Sequence, residues 1–197
     1  MLAVYLTTLL CCLAVSHSAP TCEDLLQPLD QVDFQHFQGS WPLIAGAFSN
    51  QTDVDFFNSR ESTTISFGEP NNSSEILFTL AFNINGSCQS VSDNATVEGG
   101  SFVLGRMNKR GTFYNTSSDD SILIDFDNAS ETNRRLYLFS KKREVENEGL
   151  QLLSAQAACL KLELPLQRDP TKASSRKSTE ENHMLIPHTS FMTKVVH

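Results

Sequence analysis

Gly39-Ser40-Trp41-Pro42-Leu43-Ile44-Ala45-Gly46-Ala47-Phe48 is the stretch from which the rest of the chain is read. Within it, Trp41–Phe48 reads as a short β run. Seven more follow outward from it: Ser62–Phe67, Glu75–Ile84, Gln89–Val97, Ser101–Met107, Gly111–Asn115, Ser121–Asp127 and Arg134–Ser140. They are rich in Phe, Ile, Leu, Val and Thr. Polar clusters such as Glu69–Ser74, Thr116–Asp120 and Asn128–Asn133 punctuate them. Short strands at this regular spacing predict an antiparallel barrel or sandwich.

Period-2 alternation is clearest in two of the runs. In Glu75–Ile84, Phe78, Leu80 and Phe82 share one face, and Leu77, Thr79, Ala81 and Asn83 the other. In Ser121–Asp127, Ile122, Ile124 and Phe126 oppose Leu123, Asp125 and Asp127. One bulky apolar face and one mixed face suit a wall with an apolar interior. A single helix is predicted over Val145–Leu160, where Leu150, Leu153, Ala157 and Leu160 recur at three- and four-residue steps. Glu144, Glu146 and Glu148 stand near its N-terminus, where the helix dipole favours acids.

The chain has 197 residues, with 15 basic and 23 acidic side chains and a net charge of −8. That length suits one domain with a real core. The acidic balance argues against nucleic acid, whose phosphates are held by clustered Lys and Arg. No apolar run reaches the roughly 18–20 residues that span a bilayer. Leu2–Val15 is apolar but shorter, and small Ser16 and Ser18 follow it at the spacing signal peptidase accepts. Residues 1–18 are therefore expected to be a secretory signal, 19–165 the folded domain and 166–197 a polar, disordered tail. Asn-x-Ser/Thr sequons begin at Asn50, Asn71, Asn72, Asn85, Asn94, Asn115 and Asn128. Composition alone would give about 2.5, so the excess supports a secreted glycoprotein.

With the signal removed, Cys22, Cys88 and Cys159 remain, and any of three pairings is open to them. Cys22, Trp41 and Cys88 follow the Cys…Trp…Cys order of an immunoglobulin sandwich. However, Gly86 stands where that fold has a tyrosine, and a packed C-terminal helix is foreign to it.

Gly39-Ser40-Trp41 matches the Gly-x-Trp motif that opens the first strand of the lipocalins, and the chain resembles that family. Within it the likeness is to the alpha-1-acid glycoprotein (orosomucoid) branch, shared by the pufferfish saxitoxin- and tetrodotoxin-binding proteins. Apolipoprotein M is more distant. The likeness runs from Gly39 through Phe67 to Cys88 and resumes at Phe126, Leu136 and Ala158-Cys159-Leu160, about residues 22–164 in all. It implies an all-β, eight-stranded antiparallel up-and-down barrel with one C-terminal α-helix packed outside. Gly39 would turn the chain into the first strand and Trp41 would plug the closed end. Lys141, Arg in most lipocalins, would pack over Trp41 in a cation–π contact worth about 0.5–2 kcal/mol. The resemblance also implies a Cys22–Cys159 bridge and leaves Cys88 free.

An eight-stranded barrel holds one small molecule. Alternation and the resemblance together turn Ile65, Phe67, Phe78, Leu80, Phe82, Ile124, Phe126, Tyr137 and Phe139 inward, with Leu136 and Leu138 outward against the helix. Few charges point in. Arg106 is the one basic side chain assigned to the barrel mouth, so a neutral or weakly cationic apolar ligand is expected over a carboxylate. Tyr137 would give one hydrogen bond in an apolar wall.

Catalysis has little support. The histidines are His17, His36, His183, His188 and His197, none within the strands. The mature chain has no HExxH and no CxxC, so neither a metal nor a cofactor is expected. The expectation is a secreted, monomeric, non-enzymatic carrier of a small hydrophobic or amphiphilic ligand, with Cys88 available for an intermolecular disulfide. The competing readings are a toxin-sequestering binder, an immunomodulatory plasma protein acting through its surface and, least favoured, a thiol-dependent isomerase.

Overall fold

The eight alternating runs form eight antiparallel strands. The structure, a computed structural model, describes residues 19–72, 74–128, 131–142 and 147–169. The expected signal at 1–18, most of the expected tail (170–197) and residues 143–146 lie outside the described residues, Glu144 and Glu146 among them. The strands are β1 (Gly39–Phe48), β2 (Ser62–Asn72), β3 (Glu75–Ile84), β4 (Ser87–Glu98), β5 (Ser101–Leu104), β6 (Lys109–Tyr114), β7 (Ser121–Asn128) and β8 (Glu131–Ser140). Each pairs with its successor. β1 pairs with both β8 and β2, which closes the sheet into an up-and-down barrel. Closure leaves the barrel proper without a terminal edge strand.

Register carries the alternation into three dimensions. Ile65 faces Leu80 and Phe67 faces Phe78 across β2–β3, and Ile124 faces Tyr137 across β7–β8. These inward side chains form one core inside the barrel. β5 ends at Leu104, short of the expected Met107, because residues 105–108 turn, with Asn108 at φ 49°.

A second core lies outside. The helix α3 (Asn147–Cys159) lays Leu153 and Ala157 on Ile44, Ala45, Leu136 and Leu138. Gln156, buried beneath it, donates from Nε2 to the carbonyls of Leu25 (3.0 Å) and Asn115 (3.1 Å). The short helix α1 (Cys22–Leu25) is capped by Thr21 and tied to the end of α3 by the Cys22–Cys159 disulfide, Cα–Cα 5.4 Å. The bridge closes a 137-residue separation. In the chain-entropy model such a loop is worth about 5 kcal/mol.

Two elements depart from the sequence pattern. A helix, α2 (Gln51–Ser59), stands between β1 and β2, where no helix was expected. Asn50 caps it, accepting from the Asp53 N–H at 3.0 Å, and Phe57 buries its inner face against Phe48. The expected tail does not begin at 166. Leu166–Gln167 form β9, paired with Ala45 and Gly46, and the Arg168 N–H donates to Ile44 O at 2.8 Å. Leu166 packs on the barrel core, which gives this segment an apolar anchor that its polar neighbours hide.

Candidate ligand-binding site

The closed half of the barrel is filled with rings. Phe34 and Phe37, from the lead before β1, each meet Phe67 and Phe113 at centroid distances of 5.4–6.2 Å, and these two pack in turn on Phe78 and Phe102 at 5.3–6.0 Å. Gly111 makes room for this stack, since a Cβ there would stand 2.4 Å from Phe102 Cζ. Trp41 is fully buried and donates from Nε1 to Phe37 O at 2.8 Å, and Lys141 Nζ lies 4.3 Å from its ring centroid. Gly39, at φ 96°, turns the chain into β1 below it.

Above the rings the barrel opens into a cavity of about 160 Å³. Of the nine residues read as inward, Ile65, Phe78, Leu80, Phe126, Tyr137 and Phe139 line it. Phe67 and Ile124 face inward but are spent on the core. Phe82 stands at the rim, 6.4 Å from Phe56 and beneath the Arg60 guanidinium. Leu43, Leu104 and Met107 complete the apolar wall.

The charge expectation is overturned. Arg60, Lys109 and Arg135 line the cavity, and among the described residues no Asp or Glu does. Arg106 is not among the lining residues. It sits in the β5–β6 turn, where its backbone N–H donates to Asp93 Oδ2 at 2.9 Å, beside an outer groove with Leu77 and Ser92. Helix α2 is the reason for the difference, because its C-cap is Arg60, delivered to the mouth where β2 begins.

Arg60 is 7% exposed. Its guanidinium stacks 3.7 Å from the Phe56 centroid, and its Nε has no hydrogen-bond partner. Burial lowers its pKa, with the Tyr137 hydroxyl opposing and Arg135 adding to the fall. Burial raises the Tyr137 hydroxyl, with Arg60 pulling it back. Arg135 pairs with buried Asp53 at 2.8 Å. Arg168, arriving from β9, donates to Arg60 O at 2.6 Å and Phe57 O at 2.9 Å and stacks 4.3 Å from the Phe57 centroid. Burial, followed by the charge of Arg60, lowers it to about 10. The mouth thus gathers Arg60, Lys109 and Arg135, with Asp53 paired to Arg135 and Arg168 strapping helix α2 down from outside the lining. An anion placed beside Arg60 would relieve a desolvated cation.

Cys88 is free and exposed. It pairs with Asn83 on the outer face of β3–β4, away from the cavity. Asn85, Asn94 and Asn115 are exposed, whereas Asn50 is half-buried with its amide on Asp53. The side chains of Asn71, Asn72 and Asn128 lie outside the described residues. Among the described residues no group of three or more His, Cys, Asp or Glu converges as a metal site. No described helix is long and apolar enough to cross a membrane.

The sequence carries a signal for the helix that delivers Arg60. Asn50 with Asp53 three residues on, followed by Val54 and Phe57, is a capped amphipathic turn.

No protein-family model matches the chain, and no curated protein matches it. Solved structures do. The siderocalin Ex-FABP, which functions through dual ligand specificities, superposes with TM-score 0.58 at 13% identity, over 66% of this chain and 91% of its own. Siderocalin Q83, with a dual ligand binding mode, superposes with TM-score 0.60 at 11% identity, over 69% and 90%. At these identities the likeness shows the fold, an eight-stranded lipocalin barrel with the C-terminal helix outside.

Proposed function

We propose that this barrel is a secreted, glycosylated carrier of a small amphiphile, holding an apolar body among the rings and an anionic head at Arg60 and Tyr137. One observation carries the reading: Arg60, Lys109 and Arg135 line an apolar cavity that no described Asp or Glu lines, Asp53 pairing with Arg135 from outside the lining. Burying apolar ligand surface supplies about 25 cal/mol per Å². The head group then gains a desolvated guanidinium and a hydroxyl. Cavities of about 150 Å³ take a ligand of benzene size. A longer amphiphile therefore fills the cavity with one end and extends through the mouth, past Phe56 and α2.

Several features support the wider reading. The apolar leader, the seven sequons and the Cys22–Cys159 bridge agree with secretion. The Gly39-Ser40-Trp41 motif supports placement in the lipocalin family, on the alpha-1-acid glycoprotein side. Guanidinium toxins suit the site poorly, because Arg60 and Arg135 would repel them. A thiol isomerase is disfavoured by the position of Cys88 on the outer face. The protein works as a monomer and catalyses nothing.

The test is native mass spectrometry of protein from its natural fluid, before and after organic extraction. The expected result is a discrete loss on the order of a few hundred daltons, of an acidic molecule. An extracted molecule that is neutral or basic would refute the head-group assignment, and an empty barrel that binds no amphiphile on titration would refute the carrier.

A further inference from the structure

Strand β4 is paired along only part of its length. On one side it meets β3 from Ser87 to Thr96. On the other it meets β5 only from Ala95 to Glu98, because β5 is four residues long. The β5–β6 turn reaches back once, through the Arg106 and Met107 N–H groups on Asp93. Residues Ser87 to Ser92 therefore present one backbone edge to no other strand among the described residues. All six are exposed, Val91 at 47%. Their sequence, Ser-Cys-Gln-Ser-Val-Ser, holds no charge, no proline and no glycine.

Such an edge is a template for another strand, and proteins usually block one with lysine, proline, a bulge or a cover. None of the first three is present here. What the sequence does place at the two ends of the run is a pair of sequons, Asn85-Gly86-Ser87 and Asn94-Ala95-Thr96. Both asparagines are exposed. Asn85 sits in the β3–β4 hairpin turn at φ 49°, and Asn94 is on the outer face opposite Leu77. The contrast with Asn50 is informative, since its amide nitrogen is already committed to Asp53 at 2.9 Å.

We propose that N-linked glycans at Asn85 and Asn94 are the cover of this edge, and that they keep it from pairing with a second copy of the chain. Glycans are bulky and hydrated, so one at each end bars an approaching strand while leaving the backbone solvated. Cys88 lies between them. In an antiparallel pairing of two bare edges, a register that sets Cys88 opposite its counterpart brings the two Cα atoms within reach of a disulfide. Closing that bond joins the two Cys88 sulfurs with loss of two protons and two electrons, which dissolved oxygen takes up to become hydrogen peroxide. The proposal rests on the secretion reading, because sequons are filled only in the secretory pathway.

The experiment is secretion of the full chain from cultured animal cells, with site occupancy mapped by glycopeptide mass spectrometry. Wild type, Asn115→Gln and the double variant Asn85→Gln/Asn94→Gln are then compared by light scattering and non-reducing electrophoresis. We expect Asn85 and Asn94 to be occupied, and wild type and Asn115→Gln to remain monomeric with an alkylatable thiol. The double variant should double in mass, partly as a disulfide dimer that Cys88→Ser converts to a non-covalent one. Trimming the glycans of folded wild type with an endoglycosidase should have the same effect, which guards against a folding defect in the variant. Empty sites at Asn85 or Asn94 with other sequons filled, or a bare edge that stays monomeric, would overturn the proposal. No filled sequon anywhere would instead overturn the secretion reading beneath it.

Discussion

The closed and open halves of this barrel are built from the same strands with the same alternation, yet they do opposite things. In the closed half, Phe67, Phe78, Phe102 and Phe113 meet ring to ring around the buried Trp41 plug. In the open half, Arg60, Lys109 and Arg135 join Phe56, Phe126, Tyr137 and Phe139, and a cavity remains. Close-packed rings stabilise through area and dispersion. Buried cations cost stability, as the orphaned Arg60 Nε and the lowered pKa values of Arg60 and Arg168 record. The difference teaches that stability and recognition are divided along the barrel axis: the bottom supplies stability that the mouth spends on a charged site.

The comparison can be broken most forcefully from below. Phe113→Ala should cost about 3–5 kcal/mol in urea unfolding, because ring burial and a cavity penalty are lost together. Removing the bridge with Cys22→Ser/Cys159→Ser should cost about 2–5 kcal/mol by the same measurement, with the barrel cavity untouched. At the mouth the sign should reverse. Arg60→Met should leave stability unchanged or raise it by about 1 kcal/mol while weakening anionic ligands about tenfold. A variant that lost stability there as steeply as Phe113→Ala would erase the distinction between the halves.

The smallest effect concerns pH. Asp125, buried on the outer face of β7, has its carboxyl raised by burial, although its hydrogen bonds from Arg134 pull the other way. A carboxyl with a raised folded pKa contributes stability that is full below its unfolded value of about 4 and is lost as pH rises through the folded value. Acid therefore does not unfold the protein through Asp125. As pH falls through the folded value toward about 4, wild type should gain stability relative to Asp125→Asn. A relative loss over that window would show a pKa shifted downward.

Much of the barrel's apolar wall was legible in the sequence. Alternation in Glu75–Ile84 and Ser121–Asp127 placed Phe78, Leu80, Ile124 and Phe126 inward, and the three- and four-residue spacing of Leu150, Leu153 and Ala157 marked the helix. The mouth was not legible. Its charge comes from Arg60 at the end of a nine-residue helix, from Lys109 at the start of β6, and from Arg168 beyond a proline. No periodic pattern joins these three residues, and only barrel closure brings them together. Arg135 shows the same limit differently. It lies on an alternating strand, where the period that turns Tyr137 and Phe139 inward turns it inward too, but no period places Asp53 of α2 beside it.

The most direct test of the account is calorimetric titration of a medium-chain fatty carboxylate against the alcohol of the same chain length, on wild type and Arg60→Met. The pair shares its apolar area and differs in head-group charge. The account predicts that wild type binds the carboxylate at least about tenfold more tightly than the alcohol, and that Arg60→Met binds the two alike. Equal binding by wild type, or a preference that survives in Arg60→Met, would contradict it.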